Sequence, residues 1–288
     1  MIMKSTKFYL ILTLPALLLF IIFHTFPVLQ GMYYSFTNYA GFGSYEFVGL
    51  KNYFLVFQDE RVLKSYLFTF QFAIVSTVLV NALSLLIAIG LHKINRLKTF
   101  FRGIYFIPNI LSVLIVSYIF NYIFANILPE IGTSLGIDGL SKNILGDPNL
   151  AWIGIVVVAV WQSIAFNTIL YLAGLQTVDE DIYEAAEIDG ANGWRKFWKI
   201  TFPLIAPFFT INMVLAMKGA LMVFDQVVAL TGGGPGTATE SISYLIYKGG
   251  FASGQFAYQS ANAVIYFIVL ATISILQIKL LQKREVDM

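Results

Sequence analysis

Long apolar runs, several of them exceeding 18 residues, alternate with polar passages along this chain. A helix needs about 20 such residues to cross roughly 30 Å of hydrocarbon. The pattern predicts an all-α membrane protein with six spans, near residues 8–29, 67–91, 103–126, 151–174, 204–226 and 260–281, in a single unit over 1–288. Three connecting passages are Gly31 to Ser65, Ile127 to Leu150 with Pro129 and Pro148, and the glycine-rich Thr231 to Gln259. The longest polar passage of the second half is 177–203.

Composition agrees with the pattern. The 288 residues are 58% hydrophobic, 16% aromatic and 12% charged, with a mean hydropathy of +0.76, whereas a soluble domain carries about 25% charged residues. A net charge of +2 and the lack of a long basic tract exclude a nucleic-acid partner. With 0 cysteines, disulfides, thiol catalysis and thiolate metal sites are excluded. His24 and His92 are isolated, and no glycine-rich phosphate loop ending in Lys-Ser/Thr is present. No metal site, cofactor site or catalytic dyad is therefore expected, and any energy source must be another chain. Lys4 and Lys7 precede an apolar run that continues to about Phe26 without a small-residue cleavage site, so the run reads as an uncleaved first span, a signal peptide being the lesser alternative.

Lys and Arg placement sets the orientation. If the N-terminus is inside, that side holds Lys4, Lys7, Lys93, Arg96, Lys98, Arg102, Arg195, Lys196, Lys199, Lys279, Lys283 and Arg284. The outside holds Lys51, Arg61, Lys64, Lys142 and Lys248. Both termini and the 177–203 passage are expected in the cytoplasm.

That passage carries Glu184, Glu187 and Asp189, then Arg195, Lys196 and Lys199. Asp179 can cap a helix through Tyr183 and Glu184, with Glu180 and Asp181 in its first turn. Gly190 stands where a left-handed helix end is needed, and Asn192 or Gly193 can open a second short helix. A helical elbow of this length exceeds an ordinary connector of a few residues. Its small residues Ala185, Ala186, Gly190 and Ala191 permit close approach of a partner. A solvated connector is the plainer alternative.

Glu184-Ala185-Ala186, Asp189-Gly190-Ala191, Phe197, Ile200 and Pro203 resemble the EAA loop of permease subunits of bacterial ATP-binding-cassette importers. Phe47 to Tyr53, Leu230 to Pro235, Pro15 and Phe26-Pro27 are similar to segments of the carbohydrate branch of that family. Asp179, where proline is common, and Phe202, where leucine is usual, depart from the pattern. The resemblance implies a type I importer permease of six spans in the bacterial plasma membrane. It implies pairing with a second permease and with two cytoplasmic ATPase subunits that hold ATP and Mg. An extracellular binding protein would deliver a sugar or oligosaccharide. Glu184, Ala185, Ala186, Asp189 and Gly190 would dock the ATPase.

Polar groups inside spans are costly and call for a reason. In the third span, Pro108 precedes Asn109 and Ser112. In the fourth, Ser163, Asn167 and Tyr171 share a face by their four-residue spacing, with Gln162 and Phe166 on the adjacent strip. Asp225 closes the fifth. Amide and carboxylate partners beside an aromatic ring suit a sugar, so these eight residues are candidates for the solute path. Helix–helix bonding is the alternative for each. Lys218 lies seven residues before Asp225, which on one helix would place the two on a common face, roughly 10 Å apart. A glycerol-phosphate importer, a secondary transporter and a membrane scaffold are competing functions. The first asks for cations in the path, and the second asks for inverted repeats and coupling acids.

Overall fold

The computed structural model describes residues 6–92, 103 and 106–283. Among these, helix dominates, and strand-like pairing is confined to one bridge between Thr37 and Phe47. Of the inward cations named above, Lys4, Lys93, Arg96, Lys98, Arg102 and Arg284 lie outside the described residues.

One local device recurs and is written in the sequence. Helix α1 (Thr6–Phe20) passes through a π turn (Ile21–Thr25) into α2 (Phe26–Tyr34). Further on, α5 (Val113–Tyr122) passes through Ile123–Ile127 into α6 (Leu128–Leu135). In the elbow, Gly193–Lys196 passes through Phe197–Thr201 into Phe202–Leu204. In each case a proline (Pro27, Pro129, Pro203) stands two residues past the π turn. A proline has no N–H for the carbonyl four residues back, and its ring clashes with that carbonyl. Widening the preceding turn relieves both problems while the helix continues.

Between these lie α3 (Lys51–Gln58), α4 (Glu60–His92) and α7 (Ala151–Leu175). The elbow helices are α8 (Glu180–Ile188), α9 (Gly193–Lys196) and α10 (Phe202–Leu204). The chain ends with α11 (Ala206–Leu221), α12 (Asp225–Leu230), α13 (Ile242–Tyr247) and α14 (Phe256–Gln282). Among the described residues five helices are long and apolar enough to cross a membrane: Thr13–Tyr34, Glu60–His92, Val113–Leu135, Ala151–Leu175 and Phe256–Gln282. A sixth is obtained if Gly193–Leu204 and Ala206–Leu221, bent by 72°, count as one.

Two spans differ from the sequence expectation. The third apolar helix runs over Val113–Leu135 rather than 103–126, because Pro129 is absorbed at the start of α6 instead of ending the helix. Residues 106–110 form a separate helical turn before it. The fifth ends at Leu221; the chain breaks over 222–224 and Asp225 opens α12. Lys218 and Asp225 are thus on different helices, and the common face expected of them does not exist.

The chain forms two compact units. One comprises Met1–Val62 and Leu245–Ile268. Here Tyr34 stacks on Tyr39 at 4.4 Å, and Tyr45 and Phe256 meet both edge-on. The Asn52 amide donates to the Ser35 and Thr37 carbonyls at 2.8 Å each, pinning α3 beneath the loop. The other comprises Leu63–Tyr244 and Val269–Met288. Its main core joins Phe72 and Val80 of α4, Val116 of α5, Ile155 and Val158 of α7 and Val227 of α12. A second cluster gathers Ala88, Leu91, Tyr171, Leu172, Leu175 and Ile205.

Close contact of α7 with α11 depends on Gly174. A Cβ there would lie 2.7 Å from Phe208 Cγ. Gly174→Leu is expected to cost about 1–3 kcal/mol through overpacking. Thermal aggregation of the detergent-solubilised chain, followed by size exclusion, should show a lowered midpoint.

Candidate functional site

The elbow is built by local capping. Asp179 accepts a hydrogen bond from the Asp181 N–H at 3.1 Å and starts α8. Gly190 ends it at φ +76°, in the left-handed region. Asn192 accepts from the Arg195 N–H at 2.9 Å and starts α9. The two arms are then tied side chain to side chain. Lys196 donates to Glu187 at 2.6 Å, and Tyr183 and Thr201 share a hydroxyl bond of 3.1 Å. The Lys196 ammonium holds the Glu187 carboxyl below its ordinary value. A lowered carboxylate pKa means the tie is complete above the ordinary carboxylate range and is lost as pH falls through the lowered value.

Tyr183 and Leu204 also pack on the inner cluster, so the elbow is seated on the ends of α4 and α7. Its outer face is open. Glu184, Ala185, Asp189 and Gly190 are exposed, beside Ile188 (87% exposed) and Trp194 (74%). Ala186 differs from expectation: it is buried within this chain at 6% exposure and presents no outward surface.

The bend above the elbow has a backbone cause. Pro203 and Pro207 are four residues apart, so Pro207 lacks the N–H that the Pro203 carbonyl would take in a continuous helix. The chain turns by 72° about Ile205, which is fully buried.

A cavity of about 300 Å³ lies in the same unit, lined by residues of α4, α7 and α11 together with Asn109, Val223 and Gln226. Of the sequence candidates, Asn109, Ser163, Phe166 and Asn167 line it. Ser112, Gln162, Tyr171 and Asp225 do not. Gln162 is used as a brace: its amide donates to the carbonyls of Pro108 (3.3 Å) and Leu111 (3.1 Å), groups freed where the chain breaks before α5. Ser112 sits at that break and is exposed. Tyr171 is fully buried and donates to Asn81 Oδ1 at 2.7 Å. Asp225 is exposed in the first turn of α12, while its neighbour Gln226 faces the cavity.

Phe72, Ser76, Gly219 and Gln226 also line it and are not among the sequence candidates. The polar row Ser76, Thr77, Asn81 and Ser84 within the second apolar run is the signal that marks α4 as a cavity wall. Two lining residues each hold a side-chain oxygen buried without a hydrogen-bond partner, Ser76 Oγ and Asn167 Oδ1. The Asn167 amide NH₂ is already committed to the Ser163 carbonyl at 2.8 Å, so its open valence is an acceptor. Among the described residues no charged side chain lines the cavity. Among the described residues no cluster of His, Cys, Asp or Glu suits a metal ion.

The glycine loop is ordered by hydroxyls. Thr239 Oγ1 donates to the Gly234 carbonyl at 2.6 Å and pairs with Thr231 Oγ1 at 2.8 Å. Gly232 and Gly233 have φ of +58° and +82°, and a Cβ on Gly233 would meet the Tyr244 ring at 2.7 Å.

Residues 80–286 match the family described as "Binding-protein-dependent transport system inner membrane component". The multiple sugar-binding transport system permease protein of Streptococcus mutans is 41% identical over 94% of this chain and 93% of its own. An sn-glycerol-3-phosphate transport system permease protein of Agrobacterium fabrum is 32% identical over 95% of this chain and 94% of its own. A bacterial ABC transporter involved in the import of the acidic polysaccharide alginate superposes with a TM-score of 0.83 at 20% identity, covering 96% of both chains.

Gly190→Ala should strain the left-handed position by about 1 kcal/mol and loosen the elbow. Tryptic cleavage at Arg195, Lys196 and Lys199 is then expected to accelerate roughly fivefold, measured on membranes by the appearance of the two fragments.

Proposed function

This chain belongs to the binding-protein-dependent transport system inner membrane component family, as a permease subunit of an ATP-binding-cassette importer, and from that premise we propose that its solute is a neutral sugar or short oligosaccharide. One observation carries the choice of solute. Among the described residues no charged side chain lines the cavity, and its polar lining is the neutral set Ser76, Asn109, Ser163, Asn167 and Gln226 beside Phe72 and Phe166. Neutral hydroxyl and amide groups exchange hydrogen bonds with sugar hydroxyls and offer an anion no counter-charge. A sugar offers hydroxyls at its edges and C–H groups on its faces to Phe166 and Phe72.

A phosphorylated solute is the second reading, favoured by the similarity to the glycerol-3-phosphate permease. It asks for Arg or Lys at the site, and Lys218, exposed on α11, is not among the lining residues. A secondary transporter would need coupling acids in the spans. Asp225 stands outside the cavity lining, and this reading gains no support from it.

In the importer, six spans cross the bacterial plasma membrane with both termini and 177–203 in the cytoplasm; the bent pair Gly193–Leu204 and Ala206–Leu221 supplies one of them. A second permease forms the other half of the pathway. Two ATPase subunits hold ATP and Mg, and this chain performs no catalysis. An extracellular binding protein delivers the solute. The open face of α8, with Glu184, Ala185, Asp189 and Gly190, seats in an ATPase subunit. Closure of the ATPase pair draws the elbows together, and the spans turn the cavity outward to receive solute. Hydrolysis returns it to the cytoplasmic side.

Reconstitution with the partner permease, ATPase and binding protein should give uptake that depends on ATP; uptake by this chain alone without ATP would sink the importer reading. Glu184→Lys is expected to abolish ATPase co-purification and uptake while insertion is normal, because it reverses a partly buried interface charge. Asn167→Leu should raise the solute KM about tenfold for a neutral sugar with assembly unchanged. Faster uptake of a phosphorylated solute than of its neutral parent would overturn the choice of solute.

A further inference from the structure

Two helical ridges run side by side from the cavity to the elbow. On α7 the ridge is Ala159, Ser163, Asn167, Tyr171 and Leu175, spaced by four. Its first three members line the cavity, and its last two belong to the cluster that seats the elbow. On α4 the matching ridge is Phe72, Ser76, Val80, Ser84 and Ala88. Again the first three line the cavity, and Ala88 is in the inner cluster. Each step of four residues rises about 6 Å, so cavity and elbow are separated by little more than one turn.

That turn is where the ridges are bonded. Ser84 Oγ donates to the Ile164 carbonyl at 3.3 Å, and Thr168 Oγ1 reaches the Ser84 carbonyl at 3.5 Å. The short rung is Tyr171 OH to Asn81 Oδ1, at 2.7 Å and wholly buried. Asn81 is itself oriented, because its amide donates to the Thr77 carbonyl at 2.8 Å. The Tyr171 ring packs in the cluster with Ile205, the pivot of the 72° bend, and with Tyr183 of α8. Tyr171 thus shares the hinge's cluster through its ring and bonds the cavity-wall helix through its hydroxyl.

We propose that Tyr171 is a positioning residue for transport, its bond to Asn81 fixing the α4 wall of the cavity to the elbow's pivot so that the two move together. The proposal rests on the importer reading. It replaces the solute contact first expected of Tyr171, whose hydroxyl is spent on Asn81. A packed ring alone can let one helix slip along another; a directional bond at the floor of the cavity sets a single register between them.

The test uses the whole reconstituted transporter with its binding protein and compares Tyr171→Phe, Asn81→Leu and the double variant with wild type. Readouts are thermal midpoint, ATPase co-purification, ATPase stimulation by solute-loaded binding protein, and solute taken up per ATP hydrolysed. Tyr171→Phe strands the Asn81 acceptor and should lower both stability and uptake per ATP, the latter about tenfold. The double variant removes both polar groups and should regain stability. The expected result is that its uptake per ATP remains low although the complex is stable and binds its ATPase. Recovery of uptake per ATP together with stability would make the bond merely structural and overturn the proposal, as would wild-type coupling in Tyr171→Phe. Failure of the importer reading is distinct: there the wild-type complex itself takes up nothing with ATP.

Discussion

The cost of leaving a polar group without a partner away from water governs this chain. In a hydrocarbon layer each backbone carbonyl and amide must be satisfied from within, and the structure follows that rule even where its helices fail. The clearest case is the break before α5. The chain breaks at 111–112, which frees the carbonyls of Pro108 and Leu111, and one glutamine amide from α7 collects both. Hydroxyls of Thr69 and Thr231 return to the carbonyl four residues back on their own helix, and Asn121 caps the end of α12 through the Leu230 carbonyl. Side-chain atoms are held to the rule less strictly: among the described residues Ser76 Oγ, Ser117 Oγ, Gln162 Oε1, Asn167 Oδ1 and both amide atoms of Asn212 are buried without a partner. Of these residues, Ser76 and Asn167 line the cavity.

The same rule divides the polar residues of the spans by role. Gln162 and Asn167 are close on one helix and alike in chemistry. One donates its NH₂ to two carbonyls of a broken segment; the other donates to its own helix and lines the cavity. The amide's partner, more than residue type, separates a brace between segments from a bond within one helix.

What was legible in the sequence was what is local. Asp179, Gly190 and Asn192 specify the elbow because a cap involves atoms within three residues of one another. The Lys196–Glu187 tie spans nine residues and requires the turn to be formed first. Four-residue spacing correctly put Ser163, Asn167 and Tyr171 on one face, yet depth along that face depends on where α4 lays Asn81 and Val80. The break over 222–224 involves Met, Val and Phe and carries no glycine or proline, so no local signal announces it. Pro129 falls in a connecting passage by hydropathy; the π turn before it lets α5 and α6 run on.

Pro203 and Pro207 give the bend at Ile205 a property beyond its angle. Because the N–H that Pro207 lacks cannot be supplied by repacking, an unbroken hydrogen-bond ladder is closed to this segment whatever its side chains touch, and the direction in which α11 leaves the elbow carries the mark of backbone chemistry at two positions.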